Sequence, residues 1–213
     1  MDITSQSLRD FVTSLSSVAP TPGGGSGAAA SSAMGAALVA MAARITASGK
    51  KFADRKERME ELAGKLDESR KILVELIDRD AAAYEAVSLA MKLPRNTEEE
   101  KAARKAALQV ALKHAAEVPL QTMQVSLDVL RIAPEVVQNS NPNCVTDAVS
   151  GGLLAETGLN CALLNVLINL DFIDDKDFGK EIGDKSSDYR KEACVMANRV
   201  KCLYNLSREG NSL

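Results

Sequence analysis

Two long stretches of this 213-residue chain carry almost no charge, and they constrain the fold more than any other feature. Residues 11–43 contain no Asp, Glu, Lys or Arg, and residues 148–170 contain only Glu156. Either stretch is long enough to cross a bilayer. However, Pro20, Pro22 and a run of glycines interrupt the first, and its helical part is mostly Ala, Gly and Ser, which gain little free energy in hydrocarbon. We therefore expect two helices buried in a soluble bundle, and no membrane association.

Apolar residues recur with the 3.6-residue period of amphipathic helices along nearly the whole chain, and no segment shows sustained alternation. This pattern predicts an all-α fold, a single-domain up-and-down helical bundle over residues 1–213. Thr97 and Glu100 form a capping box at the start of the fourth helix, which should kink or break at Pro119 and end before Pro134. The predicted helices cover, to within a few residues, 5–18, 23–48, 53–91, 98–133, 144–170 and 175–206.

Small residues recur every four positions along the second predicted helix, at Gly27, Ser31 and Gly35. Such a ridge lets another backbone approach closely. We therefore expect this helix in the middle of the bundle, packed on several sides.

The composition excludes several classes of function. With one histidine, His114, the chain cannot build a zinc site from several imidazoles, and we expect no metal. This histidine shares a helical face with Ala107 and Val110, which predicts a core position. Aromatic residues make up 3% of the chain and Trp is absent, which disfavours base-stacking platforms. The formal charge of -3 supplies no field that would attract a nucleic acid.

The cysteine pattern indicates a reducing compartment. The chain has four cysteines and no C-x-x-C pair, and nothing upstream of them resembles a secretory signal. We therefore expect free thiols and a cytoplasmic location.

Asp80 lies on the predicted buried stripe of the third helix, four residues before Tyr84, whereas Asp78 should face solvent. Burial without a charged partner raises the pKa of a carboxyl group toward the range useful for proton transfer. The alternative is a structural ion pair with Arg44 or Lys51. Helical spacing alone leaves both interpretations open.

One face of the second low-charge helix combines an acid, glycines and amides at a spacing of three or four residues. Glycines leave room for a ligand or another helix, and asparagine amides can bond to heterocyclic nitrogens and carbonyls. In the structural alternative, Asn143 or Thr146 caps the helix and the small residues only pack. The face contains Asp147, Gly151, Leu154, Gly158, Cys161, Asn165 and Asn169.

Three consecutive glycines, Gly23, Gly24 and Gly25, open directly into the second predicted helix, and Ser26 follows them. Exposed amides at this helix start can bind an anion or a carbonyl oxygen. A Walker A loop is excluded, because no Lys-Ser/Thr pair follows at the required spacing. A tight helix crossing is the structural alternative.

A cationic cluster follows the second predicted helix. A run of charges is usually a solvated face, but this one could also hold a multiply anionic small molecule. The cluster consists of Lys50, Lys51, Arg55, Lys56 and Arg58.

Together these motifs resemble the cyclodeaminase/cyclohydrolase family of folate enzymes over nearly the whole chain. The segment 20–26, Pro-Thr-Pro-Gly-Gly-Gly-Ser, and the segment 165–170, Asn-Val-Leu-Ile-Asn-Leu, are the most specific part of the resemblance. Further matches are the uncharged Ala-rich helix ending at 49–51, Asp80-Ala-Ala-Ala-Tyr84, Leu93-Pro94, residues 115–120 and residues 139–147.

The resemblance implies an all-α homodimer with a folate site in a cleft near the dimer interface. It implies one of two reactions: hydrolysis of 5,10-methenyltetrahydrofolate to the 10-formyl form, or cyclisation of 5-formiminotetrahydrofolate to the methenyl form with loss of ammonia. The chain contains no transferase domain, which favours a methenyltetrahydrofolate cyclohydrolase. A non-catalytic helical interaction module would explain the bundle, but not the buried Asp or the triple glycine.

Both reactions pass through a tetrahedral carbon between two folate nitrogens, so they need proton transfer without a metal. The candidate acid/base is Asp147 or Asp80, with Lys51 as a charge partner or second proton donor. The substrate is a folate, including its polyglutamylated forms, with no further cofactor, and the cationic cluster would meet its glutamate tail. The candidate substrate-binding residues are Pro22, Gly23, Gly24, Gly25, Ser26, Lys50, Asn139, Asn143, Asn165 and Asn169.

Overall fold

Six α-helices make up almost all of the computed structural model, which describes residues 3–209. They are α1 (Leu8–Leu15), α2 (Gly24–Ser48), α3 (Lys56–Met91), α4 (Glu98–Asn139), α5 (Val145–Leu170) and α6 (Lys176–Glu209), with a short 3-10 helix (Lys50–Arg55) before α3. No strand occurs within residues 3–209. The predicted all-α bundle is confirmed. The helix boundaries differ most at the end of α4, and smaller differences occur at α1, which is shorter than predicted, and at α3, which begins after the non-helical backbone of Phe52.

The second helix lies between α3 and α5 and also contacts α4, as its small residues predict. A Cβ added to Gly35 would lie 2.6 Å from the carbonyl oxygen of Gly151, and one added to Gly151 would lie 2.6 Å from the carbonyl oxygen of Gly35. Ser31 Oγ donates to the carbonyl oxygen of Leu154 at 2.9 Å. At Gly27 a Cβ would meet nothing within 4 Å. The close contact with α5 therefore involves part of the predicted ridge.

The fourth helix begins at the predicted capping box of Thr97 and Glu100, but it does not end where the sequence predicts. It runs through Pro119 and Pro134 to Asn139, so the predicted end before Pro134 is wrong. A proline inside a helix removes one intrahelical hydrogen bond, a loss that tertiary packing can compensate. Both prolines are buried, which places this packing around them.

Two side chains lie in surroundings that differ from the prediction. Asp78 does not simply face solvent, because its carboxylate accepts hydrogen bonds from the Ile3 amide at 2.6 Å and from Thr4 Oγ1 at 2.7 Å. His114 is not a core residue: its side chain is 54% exposed, beside Glu117. Val110, which shares a helix face with His114, is also exposed. This apolar face of α4 is therefore not buried.

The two low-charge helices, α2 and α5, are both long and apolar enough to cross a membrane by length and composition. Just over half of the most apolar window of α2 and a third of that of α5 are buried inside the bundle. Apolar character in α2 is thus explained largely by its central position. All four cysteines have free thiols, and Cys144 takes the N-cap position of α5 in place of Asn143 or Thr146.

Candidate active site

A cavity of about 340 Å³ opens where the start of α2 meets α3, α4 and the end of α5. It brings together four of the motifs that the sequence singles out: the glycine run, Asp80, Asn165 and Asn169. The other walls are mainly apolar. The lining residues are Pro20, Thr21, Gly23, Gly24, Gly25, Asp80, Ala83, Tyr84, Val87, Met91, Leu112, Ala115, Asn165, Ile168, Asn169 and Phe172.

Asp80 is the carboxylate of this cavity. Its Oδ2 accepts a hydrogen bond from Ser26 Oγ at 3.0 Å, and the Ser26 hydroxyl also contacts the carbonyl oxygen of Ile77 at 3.0 Å. Burial raises the pKa of the Asp80 carboxyl above its ordinary value, and the side-chain and backbone hydrogen bonds of Ser26 partly oppose that rise. A carboxyl group whose pKa is raised by burial in a cavity is a candidate for proton transfer.

Within one copy of the chain, Asp80 forms no ion pair with Arg44 or Lys51. Arg44 binds Asp67 on α3, and Lys51 lies near the opposite end of α2 from the cavity. No lysine or arginine side chain within residues 3–206 forms a salt bridge with Asp80. Without a nearby cation, the pKa of Asp80 is governed by burial and by Ser26.

Within the glycine run, a close neighbour requires glycine at Gly25, and no residue of the run has a backbone turn that requires it. A Cβ added to Gly25 would overlap the carboxylate of Asp80, and one added to Gly24 would lie 3.4 Å from Asn165 Nδ2. No residue between 3 and 209 has a positive φ. Gly23 is the N-cap of α2, so the first amides of this helix lie at the cavity beside Asp80. Pro22 and Ser26, on either side of the run, are buried.

Asn169 is held by a hydrogen bond that a proline makes available. Its Nδ2 donates to the carbonyl oxygen of Ala115 at 3.0 Å and to that of Asn165 at 2.8 Å. In a regular helix the Ala115 carbonyl would accept from the amide of residue 119, but Pro119 has no N–H. Both amide hydrogens of Asn169 are therefore used, and its Oδ1 remains as an acceptor at the cavity.

Asn165 is held in a similar way, one turn earlier on α5. Its Nδ2 donates to the carbonyl oxygen of Cys161 at 2.9 Å, which leaves its second amide hydrogen and its Oδ1 for other partners. Amides so arranged can pair with the nitrogens and carbonyl of a heterocyclic ring. The predicted role for Asn165 and Asn169 is therefore compatible with their positions.

The remaining candidates lie near the other end of the bundle. Along α2, the rise from Gly25 to Ser48 is about 35 Å, and along α5 Asp147 precedes Asn165 by about 27 Å. Near that end, Asn139 donates to the carbonyl oxygen of Glu135 at 2.9 Å. The candidates at that end are Lys50, Lys51, Asn139, Asn143 and Asp147.

The cationic cluster is partly structural. Arg58 binds Glu135 and Glu61, and Arg55 donates to the backbone of Asn139 at 3.0 Å. Lys50 lines a groove of about 560 Å³ together with Arg44 and Lys56. Lys50 and Lys51 are exposed, and neither has an ion pair within the described part of the chain. They are the cluster members most available to an anion.

Sequence reasoning missed the aromatic part of the cavity. Tyr84 was expected in the core because of its spacing, yet it is 47% exposed and lines the cavity, as does Phe172 in the loop after α5. A signal was present, because Phe172 comes only three residues after Asn169 in a chain with seven aromatic residues, four Phe and three Tyr. Among the side chains of residues 3–206, no group of three His, Cys, Asp or Glu is arranged to hold a metal ion.

A profile of the formiminotransferase-cyclodeaminase family matches residues 7–188. The chain belongs to this family. Its sequence is 41% identical over 195 residues to the methenyltetrahydrofolate cyclohydrolase of Methylorubrum extorquens, an alignment that covers 92% of this chain and 94% of that protein. The family membership that the motifs predict is confirmed.

Other family members differ in length or in reaction. The chain is 36% identical over 193 residues to the formimidoyltransferase-cyclodeaminase of Sus scrofa, but it spans only 36% of that protein. The crystal structure of a formiminotetrahydrofolate cyclodeaminase from Thermotoga maritima matches with a TM-score of 0.84 and 30% identity, covering 94% of this chain and 96% of that one. The family fold therefore occurs in proteins named for each of the two reactions.

Proposed function

We propose that this chain is a methenyltetrahydrofolate cyclohydrolase, which hydrolyses 5,10-methenyltetrahydrofolate to 10-formyltetrahydrofolate. The observation that carries the proposal is the 41% identity to a protein of that name with more than nine-tenths of both chains aligned. The bifunctional relatives match at lower identity and over about a third of their length. The cavity supplies the chemistry that such a reaction requires.

Asp80 is the proposed acid/base. Water adds to the methenyl carbon between N5 and N10, and the Asp80 carboxylate takes a proton from it, so that a tetrahedral carbon forms. The N5–C bond then breaks, the carboxyl group returns its proton to N5, the hydroxyl on the carbon loses its proton to solvent as the C=O bond forms, and the formyl group stays on N10. A carboxyl group whose pKa is raised by burial is better matched to both transfers than an exposed one.

The neighbours of Asp80 would bind the substrate. Asn165 and Asn169 offer amide groups to the pterin ring, and the first amides of α2 can bind an oxygen that becomes more negative as the tetrahedral carbon forms. Apolar residues such as Val87 and Leu112 cover the cavity wall and exclude water from the ring. We expect no cofactor beyond the folate and no metal, so dialysis against EDTA should leave activity unchanged.

A homodimer would give the residues near the other end of the bundle a role. A second copy in antiparallel orientation would bring its Lys50, Lys51 and Asp147 to the cavity, with the lysines on the glutamate tail. Apolar side chains exposed along α2 support such an interface, among them Met34, which is 49% exposed, and Ile45, which is 40% exposed. We expect the protein in the cytoplasm and without membrane or nucleic-acid partners.

Mixed dimers test the shared site. If Asp80→Asn and Lys51→Ala are each inactive, refolding them together should restore about a quarter of wild-type activity, because half of the dimers then contain one intact site of two. Lack of recovery in dimers shown to be mixed would exclude a site shared between two copies. Full activity of Lys51→Ala would exclude a role for that lysine.

The cyclodeaminase reaction is the second candidate, and the Thermotoga maritima structure favours it because that chain has nearly the same extent. Purified protein should accelerate the loss of 5,10-methenyltetrahydrofolate absorbance over the uncatalysed rate. Ammonia release from 5-formiminotetrahydrofolate without that acceleration would favour the cyclodeaminase. Neither activity would favour the non-catalytic interaction module.

A further inference from the structure

Two of the few aromatic side chains in this protein line the cavity, and they come from different elements. Tyr84 belongs to α3, and Phe172 lies in the loop between α5 and α6. Phe172 is 62% exposed and Tyr84 is 47% exposed. A phenyl ring left this open forgoes the stabilisation that burial would give it, and a ligand ring that covers it would recover that stabilisation.

Gln109 of α4 binds the backbone of the loop that carries Phe172. Gln109 Nε2 donates to the carbonyl oxygen of Phe172 at 2.9 Å, and Gln109 Oε1 accepts from the amide of Asp174 at 2.8 Å. Between these two bonds, Ile173 is buried with 5% exposure. Gln109 therefore holds the backbone on both sides of Ile173, and this keeps the Phe172 side chain at the cavity.

Ion pairs extend this attachment along the same face of α4. Lys105 and Lys113 stand four residues before and after Gln109, which places all three on one row of the helix. Lys105 pairs with Asp174 at 2.8 Å, and Lys113 pairs with Asp175 at 2.6 Å. These four charged side chains are exposed, so the pairs contribute little to stability, and Gln109 makes the direct bonds to the loop backbone.

We propose that Phe172 is a specificity-determining residue that stacks on the bicyclic ring of the folate, and that Gln109 is the positioning residue that holds it there. The inference rests on the proposed function, because it assigns the aromatic wall to the pterin of that substrate. An offset aromatic stack adds selectivity for a flat conjugated ring beyond the area that it buries. Gln109 lies outside the cavity lining and acts only through the loop.

The first experiment compares Phe172→Ala and Phe172→Tyr with the wild type in the cyclohydrolase assay. Phe172→Ala should raise KM for 5,10-methenyltetrahydrofolate about tenfold. Its kcat should stay within about threefold of wild type, because Phe172 supplies no proton. Phe172→Tyr keeps the ring and should restore the wild-type KM. An unchanged KM in Phe172→Ala would overturn the proposal.

A double-mutant cycle tests whether Gln109 acts through Phe172. Gln109→Ala should raise KM about as much as Phe172→Ala, and the double variant should be no worse than Phe172→Ala alone. The matched control is Lys105→Ala, which removes an exposed ion pair of the same loop and should leave KM within about twofold of wild type. Additive effects of Gln109 and Phe172 would exclude the positioning role.

A binding measurement separates failure of this inference from failure of the proposed function. Calorimetric titration with 5-formyltetrahydrofolate, a stable folate that shares the bicyclic reduced pterin but lacks the methenyl bridge, requires no turnover. The wild type should bind it, and Phe172→Ala should bind it about tenfold more weakly. Equal affinity of the two proteins would overturn the stacking role while leaving the cyclohydrolase in place. A wild type that neither binds nor converts a folate would overturn both.

Discussion

The carboxylate of Asp80 occupies the space in which a side chain on Gly25 would begin. A Cβ at residue 25 would overlap Asp80 Oδ1 and lie 2.8 Å from Oδ2. The next residue, Ser26, donates its hydroxyl to the same carboxylate. The start of α2 and the carboxylate on α3 therefore form one unit, and the glycine fixes how closely the carboxylate can approach the helix amides.

Gly25→Ala should displace Asp80 and lower kcat about a hundredfold, because a shift of about 1 Å at a catalytic group has effects of that size. Substrate conversion and thermal unfolding of the variant are the measurements. The control is Gly27→Ala, whose new methyl group would meet no atom within 4 Å. That control should keep full activity and gain up to about 1 kcal/mol of stability, since alanine favours the helix. Wild-type kcat in Gly25→Ala would show that the close approach has no catalytic role.

Replacing Asp80 by Asn should stabilise the fold at neutral pH. Burial raises the folded-state pKa of Asp80 above its unfolded value, so the stability linked to its proton is fully present below the unfolded pKa and is lost as the pH rises through the folded one. Each pKa unit of that rise corresponds to about 1.4 kcal/mol.

Unfolding of the wild type and of Asp80→Asn by urea at several pH values measures this effect. Asp80→Asn should have the higher free energy of unfolding at neutral pH, and the difference should shrink as the pH falls through the raised folded-state pKa of Asp80 and should be lost below about 4, the ordinary pKa of an Asp. A variant less stable than the wild type at neutral pH would mean that a group from outside this copy of the chain compensates the charge of Asp80, which contradicts the prediction.

Pro119→Ala should lower activity while the helix itself becomes more regular. The new amide at residue 119 can donate to the Ala115 carbonyl and compete with Asn169, whose amide then loses one of its two anchors. We expect kcat/KM to fall about tenfold, because Asn169 is no longer oriented for the substrate. Pro134→Ala, which changes the other proline of α4, is the control. If both variants are as active as the wild type, Pro119 has no role in orienting Asn169.

Much of the fold could be predicted, because helical periodicity and caps are local properties of the sequence. The boundaries of α2 and α5, the central position of α2 and the capping box at Thr97 all follow from nearby residues. Pro134 shows where local reasoning ends. A proline disfavours the helix interior in isolation, but it lies buried within α4, where packing decides the outcome.

The sequence predicted residues of the candidate site, but it did not predict which of them lie together in the structure. Asp80 and Asn165 share a cavity at the start of α2 and the end of α5. Lys51, just after the end of α2, and Asp147, near the start of α5, lie at the opposite end of the bundle. Sequence spacing shows which face of a helix a residue occupies. It does not show at which end of the bundle the polar residues of two helices meet. The closeness of Phe172 to Asn169 in the sequence was a signal, but the position of the ring depends on Gln109, 63 residues away.

The most direct test of the account is the turnover of Asp80→Asn on 5,10-methenyltetrahydrofolate, measured beside its affinity for 5-formyltetrahydrofolate. If Asp80 moves the protons, kcat should fall by about 10² to 10⁴, while the stable folate still binds. The account is contradicted if Asp80→Asn binds the folate and turns over within about threefold of the wild type.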